Sequence, residues 1–322
     1  MDNKTWYTRE EAETSTEYGS IPENRSVEEL LQKGVVMVDK PYGPPSKQVS
    51  TWVKKELNLK KAGHFGTLDP NATGVLPIGI NKGTRVSPTL TKSNKEYIFE
   101  AKLKEEKPEQ EIRKKLENFK GTNTQTPPEK SAVKKQERQR QVYQTELLEK
   151  NGKNILGQVK CESGFYVRVL IKQLGEKLET KAKMEELRRT QQGPIKETET
   201  HTLQEIVDAY HFYKQDKNPE PIKKILKPIE KTIQHLPKIA VKDSAVNAVA
   251  NGANLGAVGI SKLQEEIKQE ETVAITTLKG ELIALATAKM NSEQLYNAKE
   301  GEAATLQTVH MKPETYPKRW KQ

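Results

Sequence analysis

The sequence predicts a larger body that mixes helices with strands, followed by a small β-rich module. Three observations carry that expectation. A chain of 322 residues exceeds the roughly 250–300 at which single hydrophobic cores stop growing. Apolar patterns of helical and of strand period are interspersed between residues 34 and 235. Beyond Leu236-Pro237, short alternating segments separated by turn residues dominate, as in a compact β module. With 34% hydrophobic residues the chain can fill two modest cores.

The elements are justified in chain order. Residues 1–33 are acidic with scattered apolar positions and read as an extension. Val35-Val36-Met37-Val38 is short, apolar and β-branched, a buried strand that ends before Pro41. Ser46 looks like an N-cap for a helix with Val49, Trp52, Val53 and Leu57 on one face. Tyr97, Phe99, Ala101 and Leu103 alternate as in a half-buried strand. Ile112, Leu116 and Phe119 mark an amphipathic helix that breaks at Gly121. Residues 121–141 are polar and read as an exposed loop with a basic flank. Strands are expected at 142–148 and 155–159, and a helix around Leu170, Ile171, Leu174 and Leu178. Thr202 and Glu205 form a capping-box pattern before Ile206 and Tyr210. In the last module Asp243 is placed to cap a short helix stopped by Asn251-Gly252, and two strands flank Lys279-Gly280.

Charge narrows the function. Lys+Arg exceeds Asp+Glu by 54 − 44 = +10. Residues 1–33 hold eight acids and four bases, so residues 34–322 carry 10 + 4 = +14. Such a surplus suits a polyanion, whose counterions Lys and Arg displace; a lysine-rich solvated surface is the plainer explanation. One cysteine, Cys161, excludes a disulfide framework and a cysteine-based zinc cluster. No run of about 18 apolar residues is present. Walker A, GxGxxG and HExxH patterns are missing.

The densest cluster of special residues is Gly63-His64-Phe65-Gly66-Thr67-Leu68-Asp69-Pro70, continued by Ala72-Thr73-Gly74. Glycines and a proline describe a constrained loop with Asp69 held extended before Pro70. Taken alone, it reads as a turn in which Asp69 bonds its own backbone. Together with four other segments it resembles the TruB branch of pseudouridine synthases. The segment matches that branch's Gly-His-x-Gly-Thr-Leu-Asp-Pro pattern. Asp39-Lys40-Pro41 with Gly43-Pro44 is similar to its N-terminal strand motif, and Lys95-Glu96-Tyr97 to its Lys-x-Tyr strand. Gly164-Phe165-Tyr166-Val167-Arg168 and Leu187-Arg188-Arg189 complete the series in order. Pro127-Pro128 with Ser131-Ala132-Val133-Lys134, Leu236-Pro237-Lys238-Ile239 and Lys242-Asp243-Ser244-Ala245-Val246 resemble the archaeal and eukaryotic box H/ACA, or dyskerin-like, members. Pro45, Lys183 and Ala257-Val258-Gly259 depart from the family's usual residues.

The resemblance implies a mixed α/β pseudouridine synthase fold around a mostly antiparallel central sheet, with a β-rich PUA pseudo-barrel. Its domains would be 1–33 as an extension packing with the PUA part, 34–235 catalytic, 236–311 PUA and 312–322 a basic tail. It implies isomerisation of uridine to pseudouridine in rRNA, with tRNA a second substrate class, directed by a box H/ACA guide RNA and accessory proteins. Neither metal nor cofactor is needed for an isomerisation of this kind, and no membrane is involved. Asp69 would be the catalytic carboxylate, Arg168 its ionic partner and Tyr97 the stacking partner of the flipped uracil, able to assist proton removal at carbon 5. Leu187 would pack beside them. Lys40 and His64 would support the loop or touch RNA, with Gly66 and Thr67 near the substrate. Gly252, Ala253, Asn254 and Leu255 would meet the guide RNA. The location implied is cytoplasmic, or nucleolar in a eukaryote. The rival readings are a stand-alone TruB-type enzyme on the tRNA TΨC loop and a non-catalytic RNA-binding protein on the same scaffold.

Overall fold

The structure is a computed structural model and describes residues 5–127 and 136–318. Residues 128 and 131–134 of the proline-led motif, and Arg319 and Lys321 of the basic tail, lie outside the described residues. Internal contacts divide the chain into two units. One runs from Leu31 to Leu226; the other joins the residues up to Leu30 with those from Lys227 on.

The first unit is built on one twisted sheet. Its strands are β1 (Gly34–Lys40), β2 (Ala62–His64), β3 (Ala72–Ile80), β4 (Lys95–Leu103), β5 (Gly121–Gln125), β6 (Arg138–Asn151), β7 (Asn154–Cys161) and β8 (Ala182–Gln192). The spatial order is β1-β3-β8-β4-β7-β6-β5, with β2 paired to β3. All of these pairs are antiparallel except β3 with β8. Helices α1 (Ser46–Glu56), α2 (Ser87–Thr91), α3 (Glu109–Glu117), α4 (Val167–Lys177) and α5 (Leu203–Gln215) accompany it. Alternation along β4 buries Phe99, Ala101 and Leu103, which join Ile112 and Leu116 of α3 and Leu170 and Leu174 of α4 in one apolar cluster. Thr202 and Glu205 form the capping box of α5.

Three local expectations are corrected. Ser46 is not the cap of α1; Pro45 holds that position, and the buried Ser46 hydroxyl instead bonds Leu68. Residues 121–141 are not wholly loop, because Gly121–Gln125 pairs with Arg138–Asn151. Polar strand residues such as Thr122 and Asn123 hid that pairing, since this hairpin edge has little apolar alternation. Asp243 is the first residue of its helix, with Lys242 at the cap.

Strand register matters more than any single contact. A cross-strand row runs Lys40–Gly74–Arg189–Tyr97 across β1, β3, β8 and β4. Gly74 has φ of +96°, and a Cβ there would lie 2.3 Å from the Arg189 carbonyl oxygen. Only glycine lets β3 pass between β1 and β8 at that point.

The second unit is a seven-stranded sheet accompanied by short helices, among them Asp243–Ala250 and Ser292–Asn297. Strand β9 (Lys238–Val241) precedes α6 (Asp243–Ala250), and β10 (Leu255–Gly256), β11 (Ile260–Gln264), β12 (Thr272–Thr276), β13 (Leu282–Ala288) and β14 (Glu302–Val309) follow it in order. The N-terminal strand Trp6–Thr8 pairs with β11 at the sheet's edge. Ile239, Val246, Leu263, Ile275 and Ile283 are in its core. Charge pairing between the N-terminal segment and this sheet runs both ways. Glu10 meets Lys242 at 2.5 Å, yet Asp243 accepts from the Ser15 amide at 2.8 Å and Arg25 meets Glu230 at 2.7 Å. Glu230 also accepts from the Leu282 amide, which ties residues after Lys227 into this unit. Among the described residues no helix is long and apolar enough to cross a membrane.

Gly74→Ala should destabilise the first unit by more than about 2 kcal/mol, through a backbone clash plus the left-handed φ. A thermal or denaturant melt measures this; a melt indistinguishable from wild type would contradict the tight strand crossing.

Candidate active site

A cleft of about 470 Å³ opens in the first unit. Its lining includes Thr67, Asp69, Tyr97, Arg168, Leu187 and Arg189, which come from the loop before β3, from β4, from the start of α4 and from β8. Residues spread over 120 positions of sequence therefore converge, and the strand pairings make them do so.

The loop carrying Asp69 is pinned on both sides. Before it, Phe65 is buried, its amide donating to the Pro77 carbonyl at 2.9 Å. Phe65 packs over Gly79, where a Cβ would come within 2.3 Å of the ring. Leu68 is buried and bonded through both backbone groups to the Ser46 hydroxyl at 2.9 Å. After it, the Pro70 carbonyl accepts from the Gly43 amide at 2.9 Å and from Lys40 Nζ at 3.0 Å. Asp69 itself accepts through its carbonyl from the Ala72 amide. Its carboxylate alone is left to reach outward, and it pairs with Arg168.

Arg168 sits in the first turn of α4, where the helix dipole disfavours a cation and favours an anion beside it. Its position is set by Gln125, a buried side chain that bonds Tyr166 twice, at 2.9 and 3.1 Å. The Asp69 and Arg168 side chains remain 56% and 46% exposed. An ion pair that open is weak on its own account, so its value here is geometric: it aims the carboxylate into the cleft.

Beneath the pair the cleft floor is basic. Arg189 is fully buried, donating to the Val75 carbonyl at 2.8 Å and the Gly66 carbonyl at 3.1 Å, and it lies opposite Tyr97 across β8 and β4, where its charge acts on the phenol. Burial holds the Tyr97 phenol above its ordinary pKa, with the Arg189 charge opposing. Lys95, on the lining, is buried with its ammonium on the Thr91 and Ser93 carbonyls at 2.6 and 2.5 Å. Burial, assisted by Arg189, lowers its pKa to about 7.

The remaining expected residues divide. Leu187 and Thr67 line the cleft, and so does Gly66, whose φ is +104°. Lys40 does not: it is fully buried, and its ammonium donates to the Pro41, Pro70 and Ala72 carbonyls at 2.9, 3.0 and 2.7 Å. With these three hydrogen bonds it supports the loop, one of the two roles expected of it. Burial lowers its pKa to about 8. His64 is half-buried in β2, outside the lining, and its Nδ1 has no hydrogen-bond partner among the described residues. Burial and then the Arg189 charge lower its pKa. In the second unit Gly252 and Ala253 are exposed. Asn254 is engaged with Glu302 and the Leu306 amide. The Leu255 side chain is buried in the core of this unit.

Arg189 and Lys95 are the site residues that reading the sequence did not single out. Both lay inside quoted motifs, but nothing in the sequence says which of Arg188 and Arg189 is buried. Register decides it: Arg188 bonds Asp39 and Glu197 near the surface, and its neighbour turns inward.

Similar proteins share this arrangement of domains. The N-terminal domain of the TruB family pseudouridylate synthases matches residues 54–167, and a tRNA pseudouridylate synthase B C-terminal domain matches 168–234. A DKCLD domain matches residues 1–50 and a PUA domain 237–310. A probable tRNA pseudouridine synthase B of Methanocaldococcus jannaschii is 45% identical over 320 residues, covering 99% of this chain and 95% of the relative. That of Pyrococcus abyssi is 46% identical over 312 residues, covering 97% and 93%. A solved chain from a Cbf5-Nop10-Gar1 complex superposes with a TM-score of 0.95 at 44% identity, covering 98% of this chain and 97% of its own. One from an H/ACA RNP bound to a substrate RNA containing 2'-deoxyuridine gives 0.93 at 42%, covering 99% and 98%.

The two buried ammoniums set a pH dependence. Lys40 and Lys95 lose their protons in the folded chain near pH 8 and pH 7, and in the unfolded chain near about pH 10.4. Over that window the unfolded state binds more protons, so their contribution to stability rises with pH. Melting temperature should therefore rise for the wild type relative to a Lys40→Met/Lys95→Met variant between about pH 7 and about pH 10. Parallel curves would contradict the buried-ammonium assignment.

Proposed function

The chain belongs to the TruB family of pseudouridine synthases, in its dyskerin-like H/ACA branch, and from that premise we propose that it isomerises uridine in RNA under the direction of a box H/ACA guide, with Asp69 as the catalytic carboxylate. One observation carries the assignment of the site: Asp69 is the outward-pointing group of an otherwise pinned loop, and Arg168 aims it into the cleft that Tyr97 and Leu187 line. In the reaction the C1′–N1 bond breaks, the uracil turns, and a C1′–C5 bond forms. C5 loses a proton and N1 gains one, so atoms and electrons balance without an oxidant. A carboxylate close to the ribose is the group such a step requires. Tyr97 offers the ring face on which a flipped uracil stacks.

The exposure of the Asp69–Arg168 pair has a functional reading. A closed, dry pair would need to open for each turnover; here the flipped nucleotide itself excludes the water. Unstacking a base costs a few kcal/mol, and guide pairing on either side of the target offsets it without sequence reading by the protein. Solved relatives belong to complexes with Nop10, Gar1 and a substrate RNA. We assign this chain the same class of partners: guide RNA, substrate RNA and accessory proteins. The PUA unit would take part through Gly252 and Ala253, whose small exposed residues admit a close backbone approach. We place its work in the cytoplasm, or the nucleolus of a eukaryotic cell. The names of the archaeal relatives, tRNA pseudouridine synthase B, favour a second, unguided activity on tRNA.

A pseudouridine assay on rRNA fragment and on tRNA, with and without guide, separates these activities. Asp69→Asn should abolish product in every arm while RNA binding stays within about threefold, since no phosphate-binding cation is lost. Substantial turnover by Asp69→Asn would sink the assignment. Guide-RNA affinity should fall with a log–log salt slope of several units, as expected for roughly as many neutralised phosphates; a slope near zero would contradict a charge-driven interface.

A further inference from the structure

Arg189 carries a buried positive charge with no carboxylate to balance it among the described residues. Such a charge is costly unless fully hydrogen-bonded, and two of its bonds go to main-chain carbonyls. Its cross-strand neighbour on β4 is Tyr97, which shares the cleft lining and whose phenol its charge acts on. We propose that Arg189 is a positioning residue that acts through Tyr97, holding the phenolic O–H as a hydrogen-bond donor to the uracil detached from the ribose. The inference rests on the pseudouridine synthase reading of this cleft.

The chemistry follows from bond accounting. When C1′–N1 breaks, the bonding pair leaves with the base, and the negative charge spreads over N1, O2 and O4. A guanidinium that donates into the Tyr97 oxygen leaves the hydroxyl proton free to point elsewhere and makes it a stronger donor. Tyr97 starts and ends the cycle protonated, in keeping with the burial that disfavours its ionised form. Low local dielectric enlarges the stabilisation, because the donor is preorganised and no solvent reorganises during the step. The register gives the reason for the pairing: Tyr97 and Arg189 are opposite neighbours on β4 and β8.

A double-mutant cycle reads the coupling through single-turnover pseudouridine formation at saturating RNA, with wild type, Arg189→Lys, Tyr97→Phe and the double variant. Each single change should slow the reaction about tenfold or more, while the double variant stays within about threefold of Tyr97→Phe. A purely structural Arg189, acting through Gly66 and Val75, would slow the Tyr97→Phe background as much as the wild type. Multiplied losses in a protein whose wild type is active overturn the proposal alone; an inactive wild type overturns it together with the functional reading. Should Arg189→Lys fail to fold, 3,5-difluorotyrosine at position 97 tests the same point with Arg189 intact. Its rate relative to wild type should fall as pH is raised through the lowered phenol pKa. A relative rate that rises would make Tyr97 a base and overturn the donor role.

Discussion

Two cations sealed inside the sheet, Lys40 and Arg189, are the constraint on which the rest of the site depends. They lie in one cross-strand row, separated by Gly74, and both are fully buried. Neither is neutralised by a buried acid. Each is satisfied instead by main-chain carbonyls: those of Pro41, Pro70 and Ala72 for Lys40, and of Gly66 and Val75 for Arg189. Those carbonyls flank Asp69 on both sides in sequence. The hydrogen bonds of two buried charges thus help to secure a short loop that Phe65 and Leu68 also anchor in the core. Gly74 is the condition for it, because any side chain there would push β3 off β8.

The same charges govern the chemistry of the cleft. Burial, with the Arg189 charge added to it, lowers the proton affinity of Lys40, Lys95 and His64. On the cleft lining itself are the Arg189 guanidinium, the Lys95 amine and one exposed pair, Asp69 with Arg168. A substrate that is a polyanion is drawn by the surplus of bases elsewhere on the chain, while under the proposed assignment the reacting uracil would meet the Tyr97 hydroxyl and the Asp69 carboxylate. Attraction of the backbone and handling of the base are therefore separated in space.

Much of this was legible in the sequence, and what was not has physical causes. Asp69 and Arg168 were named from motifs, and the structure brings them into contact. The amphipathic helices over β4 were legible because apolar spacing reports burial directly. A loop role for Lys40 was implied by the motif, but its burial was not legible: a lysine at a strand end is ordinarily solvated, and the closure of the 70–72 segment over it supplies two of its three acceptors. Ser46 and Asp243 have the composition of helix caps, yet both point away from their helices, to Leu68 and to Thr14 and Ser15. In each case a partner distant in sequence outbids the local one. The Gly121–Gln125 strand was missed because a polar edge strand is specified by its neighbour's hydrogen bonds rather than by its own hydrophobic pattern. Arg189 was invisible among adjacent arginines until the register assigned one to each face.

The claim that a buried ammonium holds the catalytic loop in place is tested most directly by the single-turnover rate of Lys40→Met at saturating substrate RNA. Methionine fills the same space and leaves the Pro41, Pro70 and Ala72 carbonyls without their donor. Loosening of the loop should cut pseudouridine formation by about tenfold or more with RNA affinity little changed, since Lys40 is fully buried. A folded Lys40→Met protein that turns over within about twofold of wild type would contradict it.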